Sequence, residues 1–439
     1  MPARVAAFGV PFAIALAWAG LVAQPALASV DPAGAAAAFA EAKTICQRDA
    51  GRLWGHSLCG PILVVDPVDR SVVANQADGG GMLKARGRVF VGTLPASEIV
   101  ANTSVSWSGV RWTELLWPLP TDLEQRQVML AHELFHRIQP ELGRALSDGD
   151  NAHLDTLQGR YLLQLEWRAL AAALKAPTAA ARTAAVADAL LFRHQRYRLF
   201  PGAAAGEAAL EANEGVAEYT GVRAGLSTPK ARIAYAIHDL SAFVAAPSFV
   251  RSFAYATGPA YGLLLDQADP DWRGKLASGQ RMDQLLAAAL RLQTPSFDAL
   301  RQREAVYDDG SLHARELQRD RQRQAHLAAL TAKLVGGAVL RLPLVHTSFQ
   351  FNPQTLQPLG AAGTVYPTMR LKADWGVLEV EDDALLDSAS KTASVSAAGI
   401  DVAARKGHGW RLDLSDGWTM VPGERKGDWV VQRSNAAPH

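Results

Sequence analysis

Unbalanced charge, cysteine and long apolar runs are all scarce in this sequence, and each scarcity narrows what the chain can be. Its 44 Lys and Arg residues stand against 43 Asp and Glu, leaving a net charge of +1. That gives no electrostatic reason to expect nucleic acid or an acidic membrane surface as a partner. Beyond the first 28 residues no apolar run reaches the length a bilayer-spanning helix requires, so no stable membrane span is expected after removal of a leader. A Walker loop, a dinucleotide glycine fingerprint and a G-x-S-x-G nucleophile elbow are all missing. The glycines from Gly79 read as a loop. No repeat of 20 to 50 residues stands out.

Only two cysteines occur, Cys46 and Cys59. In an exported chain one even pair implies a disulfide contributing at most about 3 kcal/mol; the alternative is two free buried thiols. Export is expected from residues 1–28, where one arginine, an apolar run and the small residues Ala26 to Ala28 before Ser29 have the layout of a secretory signal peptide. An uncleaved anchor helix is the competing reading. No cysteine stands at the cleavage site, which argues against lipid anchoring.

Hydrophobic residues make up 49% of the chain and charged residues 20%, proportions of a folded protein, and 439 residues suffice for two or three domains. Within an N-terminal subdomain over residues 29–120, the stretch from Cys59 to Pro120 alternates short β-rich runs with turn signals, and hairpins are expected at Asp66-Pro67 and Ser108-Gly109. Residues 121–334 read as successive Ala, Leu and Arg-rich helices, broken near Pro140, Pro177, Pro201, Pro229 and Pro247. Residues 335–439 return to strands, with a hairpin expected at Asp416-Gly417. The fold class is therefore α+β multidomain: an N-terminal β-rich subdomain, a mostly helical body and a C-terminal β domain for which a sandwich is one expectation.

Chemistry concentrates in "LAHELFHRIQ", residues 130–139. Thr121 with Glu124 three residues later forms a capping-box pattern and Pro140 a stop, which predicts a helix over 122–139. On it His132 and His136 stand one turn apart with Glu133 beside them, a spacing at which two imidazoles reach one tetrahedral Zn²⁺ and a carboxylate takes a proton from water. A third ligand is sought in "EAALEANEGVAEYTG", residues 207–221. There Glu214 serves as ligand and Glu218, one turn on, orients a ligand imidazole. The bland account of Glu207, Glu211, Glu214 and Glu218 is a solvated acidic stripe. Other carboxylates and imidazoles in range are His153, Asp155 and Glu166, of which Asp155 reads as a helix cap and Glu166 as a surface partner of Arg160 or Arg168.

H-E-x-x-H followed by E-x-x-x-E resembles the gluzincin group of zinc metallopeptidases. The stretch "YATGPAYGLLLD" from Tyr255 is similar to the Y-x-x-G stretch of zinc aminopeptidases. The resemblance spans residues 105–267 and implies a zincin-like catalytic body for the helical region. It implies zinc held by His132, His136 and Glu214, with Glu133 as general base and Tyr255, three residues before Gly258, as donor to the oxyanion. Tyr261 or His238 could take that last role. Peptides or proteins would be the substrate, hydrolysed by a periplasmic or secreted enzyme. Two departures stand out: 78 positions separate His136 from Glu214, far more than in common gluzincins, and no G-A-M-E-N exopeptidase signature occurs. A zinc hydrolase of another substrate and a binding protein with an idle zinc site are the competing functions; Glu133 speaks against the second, because a structural zinc needs no base.

Overall fold

The computed structural model describes residues 29–434, except Ala96, 144–148, Ser278, 294–295 and 353–354, so the expected signal segment 1–28 lies outside the described residues. The architecture is mixed α and β, with three sheets and with strands in both the N-terminal and the C-terminal regions, in keeping with an α+β multidomain fold. Two compact units interleave along the sequence. The first takes in the described residues of Met1–Asp148, Ala209–Asp239 and Tyr255–Leu290, and the second those of Gly149–Ala208, Leu240–Ala254 and Arg291–His439.

The first unit holds a six-stranded sheet made of β1 (Ile62–Val65), β2 (Ser71–Ala74), β3 (Lys84–Arg86), β4 (Val89–Thr93), β5 (Thr103–Trp107) and β6 (Val110–Leu116), in the order β3-β4-β2-β1-β6-β5. β1 runs parallel to β6, while β1–β2 and β5–β6 are antiparallel hairpins at the two expected turns. At the second turn Ser108 and Gly109 both have positive φ, 49° and 75°. That is the two-residue geometry matching the twist of paired strands. Central β1 is buried throughout, as a strand paired on both sides and covered on both faces should be.

Also in this unit, the helix Pro32–Asp49 is capped by the Asp31 carboxylate and ends at a disulfide between Cys46 and Cys59, Cα–Cα 5.0 Å. The loop so closed carries Trp54, whose ring packs on Phe135 at 5.2 Å and whose Nε1–H donates to Thr220 Oγ1. Arg137 donates to the carbonyls of Ser57 and Cys59. The disulfide loop is thereby tied to the helix that carries the two histidines, although it lies far from that helix in sequence.

That histidine helix spans Leu123–Ile138. Its cap is Asp122, whose carboxylate accepts from Gln125 N–H, so the expected capping box at Thr121 is displaced by one residue. An ionised carboxylate at the cap satisfies an open N–H more strongly than a threonine hydroxyl would. Val128, Leu130, Ala131, Leu134, Phe135 and Ile138 are buried, and so are His132 and Glu133.

In the second unit the helices Leu157–Lys175 and Ala179–Leu199 pack together. A β-sandwich follows, built from a seven-stranded and a five-stranded sheet whose facing residues, among them Leu340, Leu371, Leu378, Val395, Trp410 and Leu412, form one core. The expected hairpin at Asp416-Gly417 does not form. Trp410–Leu414 pairs within the five-stranded sheet, whereas Trp418–Pro422 pairs with Trp429–Arg433 in the other. Gly417, at φ 80°, instead turns the chain from one sheet to the other, a use of Asp-Gly that local sequence does not distinguish from a hairpin.

Candidate metal centre

Three close crossings between helices build the site, all within the first unit, and glycine permits them. A Cβ on Gly221 would lie 2.7 Å from the Val128 carbonyl oxygen and 3.3 Å from His132 Cβ, and one on Gly225 would lie 2.7 Å from the Gln127 carbonyl oxygen. The helical stretch through Glu211–Gly225 therefore lies directly against the histidine helix, closer than any larger residue allows. A Cβ on Gly258 would stand 2.0 Å from the Gly215 carbonyl oxygen, so the helix Phe249–Ala268 meets the same stretch one residue from Glu214. Pro259 cannot donate to the carbonyl of Tyr255 four residues back, which loosens this helix where Tyr255 sits.

Glu214 lies in a π-helical turn, Glu211–Gly215, and Glu218 in the α-helical turn that follows, Val216–Thr220. Wide turns of this kind rotate the side chains that follow them and occur often at functional sites. Here the result is convergence. His132 Nε2 and His136 Nε2 are 2.9 Å apart, and Glu214 Oε2 lies 3.5 and 3.4 Å from them. Ligands bound tetrahedrally at zinc distances stand about 3.3 Å from one another, so these three atoms occupy one face of a coordination tetrahedron. The buried His132, His136 and Glu214 group could hold a metal ion.

The far side of each imidazole supports the same use. His132 Nδ1 lies 2.6 Å from Glu218 Oε2, and His136 Nδ1 lies 2.8 Å from Gln139 Oε1. Gln139 Nε2 donates to the carbonyls of Ala212 and Asn213 at 3.1 and 3.0 Å, which fixes its oxygen towards His136. Both partners accept, so both Nδ1 atoms carry hydrogen, and both Nε2 atoms face the common point, where a metal ion or a proton can bind. Two ring nitrogens and a carboxylate oxygen at these distances repel unless a proton or a metal ion lies between them.

The electrostatics show a positive charge drawn to this point. Burial pulls the His132 pKa down, but its hydrogen bonds with Glu214 and Glu218 outweigh that and hold it well above the ordinary value. Burial raises Glu214, yet the two histidines bring its carboxyl far below the carboxylate range. Glu133 is raised by burial, and its Oε2 makes no hydrogen bond within the described residues. A buried carboxylate oxygen left without a donor beside such a cluster suits a group whose partner is water or substrate. The Tyr255 hydroxyl donates to Glu214 Oε2 at 2.8 Å, and its ring stacks on His132 with an interplanar angle of 2°. Burial and Glu214 push its pKa well above the ordinary tyrosine range, so it stays a neutral donor.

All of the expected residues His132, Glu133, His136, Glu214, Glu218 and Tyr255 thus meet in one place. The solvated acidic stripe is excluded, since Glu207, Glu211 and Glu214 are buried. The competing ligands are engaged elsewhere. His153 pairs with Glu207, and Asp155 accepts from Phe249 N–H and the Ser248 hydroxyl, capping a different helix from its own. Glu166 pairs with Arg193 and Arg196 rather than with Arg160 or Arg168, because the helix face it occupies packs inward against Ala179–Leu199. Tyr261 is buried and His238 exposed. The long spacing to Glu214 also has a physical source, since Gly149–Ala208 belongs to the second unit and the chain returns to the first only at Ala209. Gln139 was not foreseen; its one sequence signal is that it shares a helix face with both histidines, seven residues after His132 and three after His136.

Compared with known proteins, the chain matches no family model, no curated protein and no solved structure.

Proposed function

We propose that this chain is a zinc-dependent metallopeptidase of gluzincin type, with a zincin-like body around the histidine helix, acting outside the cytoplasm. The observation that carries the reading is the convergence of His132 Nε2, His136 Nε2 and Glu214 Oε2 beside Glu133, whose Oε2 makes no hydrogen bond within the described residues. Two imidazoles and one carboxylate make a donor set suited to zinc, and three protein ligands leave a position for chemistry. Zinc held there supplies Lewis acidity, which acidifies water and polarises a carbonyl oxygen.

The chain's own residues do the rest. Glu133, raised by burial, takes the proton from the attacking water and passes it to the leaving amine. Glu218 and Gln139 hold the two imidazoles in the tautomer and orientation that ligation requires. Tyr255, a neutral buried donor, turns its hydroxyl from Glu214 to the oxygen on which negative charge develops. The Cys46–Cys59 disulfide supports an oxidising compartment, and no helix among the described residues is long and apolar enough to cross a membrane.

Elemental analysis of the purified chain, paired with digestion of an unbiased peptide library, tests the reading. About one zinc per chain and cleavage lost on chelation are expected. A chain that stays metal-free after zinc supplementation refutes the metal centre, and a zinc-loaded chain that cleaves no peptide leaves the zinc but removes the peptidase.

A further inference from the structure

We infer that Gln139 is a positioning residue that makes placement of His136 and of Glu214 a single event; the inference rests on the metal centre proposed above. Gln139 is 3% exposed, and burying an amide is costly unless its polar atoms are satisfied. Its satisfaction is divided between two helices. The oxygen accepts from His136 Nδ1–H, and the two N–H groups go to the carbonyls of Ala212 and Asn213, the residues immediately before Glu214.

The Ala212 carbonyl can take its bond because of the wide turn. Val216 N–H donates to the Glu211 carbonyl five residues back, passing over that of Ala212, which an ordinary α-helix would use. Gln139 thus occupies the acceptor that the π turn releases, and the turn is what brings Glu214 to the histidines. A helix returned to α register there would rotate the following side chains by about 100°. One side chain therefore sets the tautomer of one ligand and stabilises the backbone geometry that aims another. Phe135, Leu142, Ala212 and Val216 line a cavity of about 250 Å³ together with Gln139, so an apolar side chain of similar size has room at this position.

The test uses the full-length protein with Gln139→Leu and Gln139→Glu, reading zinc affinity by chelator competition and the visible spectrum of the Co²⁺ form. Leucine removes both halves of the link and should weaken zinc binding by about 10- to 100-fold and alter the Co²⁺ spectrum. Glutamate keeps an acceptor for His136 Nδ1–H but sets an oxygen against the two carbonyls, so its affinity should fall between leucine and wild type. A residue that only filled space would leave both readouts unmoved in the leucine variant. Affinity for Gln139→Leu within about threefold of wild type, with an unchanged Co²⁺ spectrum, overturns the inference. Should that variant not fold, affinity of Gln139→Glu equal to wild type overturns it instead. Wild-type protein that binds neither Zn²⁺ nor Co²⁺ overturns the metal centre itself, a separate result.

Discussion

Each unit contains a buried histidine–glutamate cluster, and the two clusters are closed in different ways. In the second unit His153 Nε2 meets Glu207 Oε1 at 2.8 Å, and Arg196 grips the same carboxylate with two bonds of 2.6 Å. Arg196 continues to Glu166, which also accepts from Arg193. Two guanidinium groups thus answer two carboxylates, with all four side chains wholly buried. In the first unit the charges acting on Glu133 are two imidazoles, which lower its pKa, and two further carboxylates, Glu214 and Glu218, which raise it. One cluster carries fixed cations; the other has only imidazoles, in a group that could hold a metal ion. Histidine beside glutamate in a sequence does not separate these cases, whereas the number of fixed positive charges packed around them does.

Glu133→Gln breaks the first cluster at the proposed general base and should have the largest effect. Turnover should fall by about 10²- to 10⁴-fold with zinc retained, because the base acts on water and not on the metal. Glu214→Gln should lose zinc affinity and turnover together. Zinc analysis and single-turnover kinetics on both variants check the contrast, and a glutamine at 214 that binds zinc normally would move the third ligand elsewhere.

Arg196→Ala asks the same question of the second cluster. It leaves Glu166 and Glu207 buried with half their compensation, which should cost about 3–5 kcal/mol in denaturant unfolding while zinc stoichiometry stays the same. The pH dependence follows. Burial raises Glu207, but Arg196 overcomes it and holds the carboxyl down at about 2, below its ordinary 4.5. A depressed pKa contributes stability that is present above pH 4.5 and lost as pH falls towards 2. That acid-side loss should be smaller in the alanine variant.

What the sequence disclosed follows the same division between local and distant causes. The histidine helix was legible because capping, spacing and a stop lie within twenty residues of one another, and the hairpin at Ser108-Gly109 because a turn is a local event. The interleaving of the units was not legible, since it is defined by contacts between segments up to hundreds of positions apart. Glu214 and Glu218 could be picked out as a pair, but the π turn that carries the first is met by Gln139, 73 and 74 positions from the carbonyls it bonds. Gln139 itself looks like any polar residue near a helix end until those carbonyls are in view. Asp416-Gly417 misled because the same dipeptide serves a hairpin and a crossing between sheets.

Tyr255→Phe sharpens the first cluster at its edge. Its hydroxyl rests on Glu214 Oε2, so it could serve the ligand or the transition state. As an oxyanion donor it should be worth about 3 kcal/mol, and kcat should drop about a hundredfold with KM and zinc affinity little altered. If zinc affinity falls while kcat of the fully loaded enzyme holds, Tyr255 is instead a holder of Glu214, and the likeness to zinc aminopeptidases ends at the ligands.

A buried carboxylate outside both clusters completes the comparison by using a proton as its cation. Glu114 on β6 is fully buried; its Oε1 accepts from Ala101 N–H, and its Oε2 makes no hydrogen bond within the described residues. Burial raises its pKa to about 7 from 4.5, against the smaller pull of Ala101 and Arg70. Here the sign reverses relative to Glu207. The folded chain holds a proton that the unfolded chain releases, so stability falls as pH climbs from 4.5 through 7. Glutamine at 114 keeps the acceptor for Ala101 and cannot ionise, so its unfolding free energy should gain about 2–3 kcal/mol on wild type between pH 4.5 and pH 8. The difference between the two pH profiles is the readout, because the new amide N–H groups add a cost that does not vary with pH. Parallel profiles would mean that Glu114 is ionised in the folded chain and that a positive group, not a proton, balances it.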